Sequence, residues 1–97
     1  MIGRNYIKQI ERVIGDFDPK RSNRYFLFGS SVRRDRFNDV DLGVIGNRAS
    51  RARLGDLRER LYESTLPYTV DVVDFDEARQ PFIDYVMRQE PLVWLNS

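Results

Sequence analysis

A chain of 97 residues with 16 Lys and Arg against 15 Asp and Glu, and with neither cysteine nor histidine, has the size of one domain and is expected to form one over residues 1–97. Missing cysteine excludes a disulfide framework and thiolate chemistry, and missing histidine excludes His-based triads and His-rich zinc sites, so carboxylates must carry any chemistry. Apolar runs of only a few residues fall far short of the roughly 20 that a transmembrane helix needs, and residues 1–17 hold Glu11 and Asp16 without a signal-peptide pattern; the expectation is a cytoplasmic protein with no membrane partner.

In chain order, Ile7, Ile10, Val13, Ile14 and Phe17 recur at helical spacing with Lys8, Glu11 and Arg12 between them. They predict an amphipathic packing helix over 5–17 that ends near Gly15, with Pro19 beyond. Asp18 to Asn23 reads as a polar turn, and Arg24 to Phe28 as a strand buried on both faces. Ser31 to Arg36 reads as a short helix or loop, and a second strand runs from Asp39 to about Ile45, closed by Gly46-Asn47.

Ser50 is positioned to cap a helix over 51–63, with Leu54, Leu57 and Leu61 as its apolar stripe. After Pro67, residues 68–75 form the most β-prone stretch, with Val70, Val72 and Asp74 on one face and Asp71, Val73 and Phe75 on the other. A capped helix is expected from Asp76, with Phe82, Ile83, Val86 and Met87 as its apolar set and Pro81 limiting its first turn. The segment 91–95 reads as a final turn or an edge strand. The order is α, β, short α, β, α, β, α, which predicts an α/β (α+β) domain with a small mixed sheet flanked by helices.

Charge is distributed unevenly. Arg33, Arg34, Arg36, Arg48, Arg51, Arg53, Arg58 and Arg60 crowd the middle third, and Asp71, Asp74, Asp76, Glu77 and Asp84 follow. The basic stretch reads either as a surface that steers a polyanion or as an ordinary solvated helix face and loop.

Residues 25–45 hold the chemistry. An apolar strand runs into Gly29-Ser30, and the next strand opens Asp39-Val40-Asp41. Alternation puts both carboxylates on one face, where they repel unless something positive lies between them. A hard, oxygen-preferring divalent cation fits that need, and the small residues at 29–30 suit a turn whose N–H groups and hydroxyl approach a phosphate. Asp71 adds a third acid inside an apolar strand, where propensity and desolvation both disfavour it. A structural reading also exists: Asp39 as a turn residue, Asp41 paired with an arginine such as Arg33, and Asp71 on a wet sheet face. It leaves unexplained why the paired acids follow so closely on the Gly-Ser turn.

Phe28-Gly29-Ser30, a spacer, Asp39-Val40-Asp41-Leu42 and the later Val70-Asp71-Val72-Val73 resemble the core of the DNA polymerase β-like nucleotidyltransferase superfamily, and within it the minimal nucleotidyltransferase (MNT) group. The resemblance covers about residues 25–75. It implies the polymerase β palm-like fold, two Mg²⁺ ions and ATP as substrate, with Asp39, Asp41 and Asp71 as catalytic and metal-holding residues. Gly29 and Ser30 would hold the triphosphate, and either Asp71 or Asp74 would be the third acid, Asp71 by its place after Val70. The spacer 31–38 departs from the group's pattern, being shorter and carrying Arg33-Arg34 without the usual glycine. Arg33 or Arg34 then compensates by contacting the β- or γ-phosphate, and Arg33 is assigned to nucleotide binding.

The same resemblance implies an antitoxin that transfers AMP from ATP to a tyrosine hydroxyl of a HEPN ribonuclease toxin, with which it forms a hetero-oligomer. Larger members of the superfamily add a helical domain, so a partner is expected to supply the missing walls of the site, docking at exposed aromatics or at 92–95. Alternatives are an inactive antitoxin that neutralises by binding, and an arginine-rich nucleic-acid-binding regulator. A small-molecule nucleotidyltransferase is disfavoured for want of a substrate domain.

Overall fold

Tyr25, Phe26, Leu27 and Phe28 are all buried, as a strand must be when both of its faces are covered and both of its edges are paired. In the computed structural model, which describes residues 1–46 and 53–95, this strand, β1 (Asn23–Phe28), lies inside a four-stranded sheet. The other strands are β2 (Asp39–Gly46), β3 (Thr69–Asp74) and β4 (Val93–Trp94), in the order β3-β2-β1-β4. β2 and β4 run antiparallel to β1, and β3 runs parallel to β2. The helices are α1 (Arg4–Phe17), α2 (Ser30–Arg33), α3 (Leu54–Glu63) and α4 (Gln80–Gln89).

The two faces of the sheet differ in chemistry. On one, Tyr25, Leu27, Val40, Leu42, Val44 and Val72 pack with Ile10, Ile14 and Phe17 of α1 and Leu54, Leu57 and Leu61 of α3. These are the periodic apolar sets expected from the sequence. On the other face Phe26, Phe28 and Phe75 gather with Val86 of α4, and the Phe26 ring lies 4.9 Å from both Phe75 and Trp94. Gly43 sits directly opposite Phe26 in the register, and any Cβ there would overlap the ring. A glycine in mid-strand thus makes room for the Phe26 ring on that face.

Several boundaries differ from expectation for local reasons. α1 continues through Gly15, which has open space around it, to Phe17, and Asp18 closes it by donating its N–H to Ile14 O. The last helix starts at Gln80 with Pro81 in its first turn, not at Asp76. Asp76 is engaged elsewhere: its carboxylate accepts the Gly46 N–H at 2.8 Å and its own N–H donates to Asp74 Oδ1, which ties the end of β3 to the end of β2. Within the 91–95 segment, Val93–Trp94 forms an edge strand on β1; Trp94 is 40% exposed, its ring 4.9 Å from that of Phe26 and under the Arg24 guanidinium. The expected Ser50 cap, with Asn47, Arg48 and Arg51, lies outside the described residues.

A polar knot closes one corner. Asp18, 6% exposed, accepts the N–H groups of Ser22 and Asn23 and the Tyr25 hydroxyl at 2.9–3.0 Å. Burial alone would raise its pKa, but those donors outweigh burial and hold it below the usual carboxylate value. Burial pushes the Tyr25 phenol up, and the neighbouring Asp18 charge adds to it. The segment that reads as a simple polar turn in sequence is a buried hydrogen-bond centre.

Candidate active site

At the end of β1 the chain turns through Gly29 with φ 79° and ψ −154° and enters α2. A left-handed φ favours glycine. A second constraint is steric: a Cβ at Gly29 would overlap the Asp41 carboxylate. Turn and acid are therefore in direct contact, and the small residue is needed for both reasons.

The register sets what surrounds Asp41. It stands opposite Phe28 on one side and opposite Asp71 on the other, with Asp39 paired to Thr69. Residues aligned across neighbouring strands share a face, so Asp39, Asp41 and Asp71 project from the face that carries Phe26 and Phe28. Asp74 is aligned with Val44, on the opposite parity, and its Oδ1 accepts the Asp76 N–H.

Electrostatics single out Asp41. Burial raises its pKa, and the charges of Asp71, Asp39 and Glu90 raise it further, against a lowering by Arg33. Asp39 and Asp71 are exposed, whereas Asp41 is half-buried. Among the described residues no three acidic side chains converge closely enough to hold a cation unaided. The donor set is nonetheless all carboxylate, which suits a hard divalent cation that keeps open positions for phosphate oxygens or water.

Ser30 opens α2 and is half-buried, while the neighbouring Ser31 is fully buried with its Oγ unpartnered among the described residues. Arg33, the last residue of α2, places Nε 3.2 Å from Glu90 Oε2, not on Asp41. Glu90 caps the C-terminus of α4, and sequence reasoning missed it. The available signal was an acid at the end of a helix, where the backbone dipole opposes negative charge.

A groove of about 680 Å³ runs beside β3, lined by Arg58, Tyr62, Pro67 and Tyr68 and reaching Asp71. Of the arginines of α3, Arg58 donates to Val72 O and Arg60 pairs with Asp56, and Arg53, just before the helix, lies over the Phe17 ring.

The family profile described as "Polymerase beta, Nucleotidyltransferase" matches residues 16–97. The chain belongs to the polymerase beta nucleotidyltransferase family. Among solved structures, the nucleotidyltransferase fold seen here is similar to "Crystal structure of the toxin-antitoxin with AMP-PNP", with a TM-score of 0.58 and 24% identity, covering 90% of this chain and 74% of that one. No curated protein sequence matches the chain. Among the described residues no helix is long and apolar enough to cross a membrane.

Proposed function

We propose that this nucleotidyltransferase is a minimal, Mg²⁺-dependent enzyme that transfers AMP from ATP to a hydroxyl of a partner protein, and that it serves as the antitoxin of a HEPN ribonuclease toxin. The observation that carries the reading is the register of β2 and β3, which aligns Asp41 with Asp71, two residues on from Asp39, beside a turn pressed against the Asp41 carboxylate. Family membership supports the reaction type, and the likeness to a toxin–antitoxin structure with AMP-PNP supports the biological setting.

Asp39 and Asp41 would hold one Mg²⁺ and Asp71 would complete a second site. Bound there, the ions supply charge neutralisation for the attacking and leaving oxygens of an in-line displacement. The chain's own groups do the rest. Gly29 and Ser30 present backbone N–H groups and a hydroxyl to the triphosphate, and Arg33 adds a guanidinium. The acceptor oxygen bonds to the α-phosphorus, the bond from that phosphorus to the β-bridging oxygen breaks, and pyrophosphate leaves. The acceptor proton passes to the exposed Asp71 carboxylate and then to water.

A second reading is neutralisation by binding alone, which the likeness to a toxin–antitoxin structure would fit equally well. Incubation of the purified chain with labelled ATP, Mg²⁺ and the toxin encoded beside it separates the two. Label on the toxin that disappears with Asp41→Asn upholds transfer. Full neutralisation by the Asp39→Asn, Asp41→Asn double variant, without label in either case, replaces transfer by binding.

A further inference from the structure

We propose that Glu90 is a positioning residue for nucleotide binding: it anchors Arg33 by its Nε edge, so that the guanidinium's terminal nitrogens face the triphosphate and do not collapse onto Asp41. The inference rests on the proposed nucleotidyltransferase reading and extends it to a residue outside the resembling segment.

Three observations converge on it. The ion pair is directional, with Nε 3.2 Å from Oε2, and asymmetric in exposure, the Glu90 side chain being 10% exposed and that of Arg33 43%. A buried anchor with an exposed guanidinium is the arrangement that leaves the other edge of the fork for a ligand. Glu90 also sits where its charge is unfavourable: its own N–H closes α4 on Val86 O, at the negative end of the helix. An acid there needs a compensating cation, and Arg33 is that cation. Finally, the pair stands beside the carboxylates, since α2, which carries Arg33, begins at Gly29, where a Cβ would overlap the Asp41 carboxylate.

The geometry resolves a conflict inherent in the site. An arginine needed for phosphate stands next to acids needed for a cation, and without a competing anchor it would neutralise them. By accepting Nε, Glu90 keeps Arg33 within reach of a phosphate and away from Asp41. Arg33 stands on α2, which begins at Gly29, so the anchor couples the end of α4 to the turn expected to hold the same triphosphate.

The test measures ATP affinity by titration calorimetry in Mg²⁺ for the unmodified chain, Glu90→Gln, Arg33→Lys and the double variant, with thermal unfolding recorded for each. Arg33→Lys keeps a cation against Glu90 but has no second edge, so a purely structural pair would leave its affinity intact. The expected result is a loss of about tenfold in ATP affinity in each single variant and no further loss in the double, the non-additivity of groups acting as a unit. In turnover the same loss should appear in KM with kcat nearly unchanged. If Glu90→Gln does not fold, Glu90→Asp, which keeps the charge but shortens its reach to the Arg33 Nε, takes its place with the same expected loss. Unchanged affinity in the Glu90 variant, or additive losses in the double variant, overturns the positioning role while leaving the proposed function standing. No ATP uptake by the unmodified chain overturns both.

Discussion

Asp18 and Asp41 are two aspartates of one small fold shifted in opposite directions. Asp18 is the more buried, yet its pKa is lowered, because two backbone N–H groups and the Tyr25 hydroxyl point at it. Asp41 keeps more contact with solvent, yet its pKa is raised, because burial acts together with the charges of Asp71, Asp39 and Glu90. Burial alone therefore does not tell a structural acid from a functional one. What separates them is whether the fold supplies donors or further acids, and an acid surrounded by acids is the one the proposed function assigns to a cation.

The sharpest break of this contrast is Asp41→Asn. Transfer should fall by about 10²-fold or more with the loss of one charge-stabilising group, while the ligand-free protein becomes more stable at neutral pH. The sign follows from the raised pKa: Asp41 contributes fully below its unfolded value near 3.8 and loses that contribution as pH rises through its higher folded value. The melting advantage of the variant should hence open as pH rises from about 4 and flatten above the folded pKa. Melting curves across pH 3–8 check it.

Asp18→Asn should behave oppositely. Asparagine keeps only one of the two acceptor oxygens, so at least one of the three donors loses its partner at a cost of about 1–3 kcal/mol at pH 7, and because the folded pKa is lowered, the difference should shrink as pH falls below the unfolded value. Denaturant unfolding at pH 7 and pH 3 reads both. Gly29→Ala tests the steric side: the left-handed φ and the overlap with Asp41 predict a loss of about 1–3 kcal/mol, smaller when Asp41 is also replaced by alanine, as a double-mutant cycle would show. The smallest effect belongs to Ser31→Ala, which removes a buried unpartnered hydroxyl and should leave stability within about 1 kcal/mol of the parent, on the favourable side.

Much of the architecture was legible because it rests on periodicity. The stripes of α1 and α3 and the alternation in β2 and β3 place inside the side chains that form the core, with Ile7, Val13 and Val70 half-buried at its margin. The acids on one face followed from a period of two, and only the pairing of β2 with β3 was needed to bring Asp71 beside Asp41. What escaped sequence reasoning depends on contacts between distant segments. Asp76 looks like a helix cap until Gly46, 30 residues away, claims its carboxylate. Glu90 looks like a solvated helix end until α2 brings Arg33 to it, and Asp18 looks like turn chemistry until Tyr25 folds over it.

The alignment of β2 has one further consequence. Shift that strand by a single position against either neighbour and Asp39 and Asp41 enter the aliphatic layer beside Leu27 and Val72, while Leu42 is turned out of it. Stranding ions in that layer costs several kcal/mol each, so the charges proposed to hold a cation also exclude misaligned versions of the sheet. Their neutral substitutes should be catalytically silent and, in addition, less selective about how the strands pair during folding.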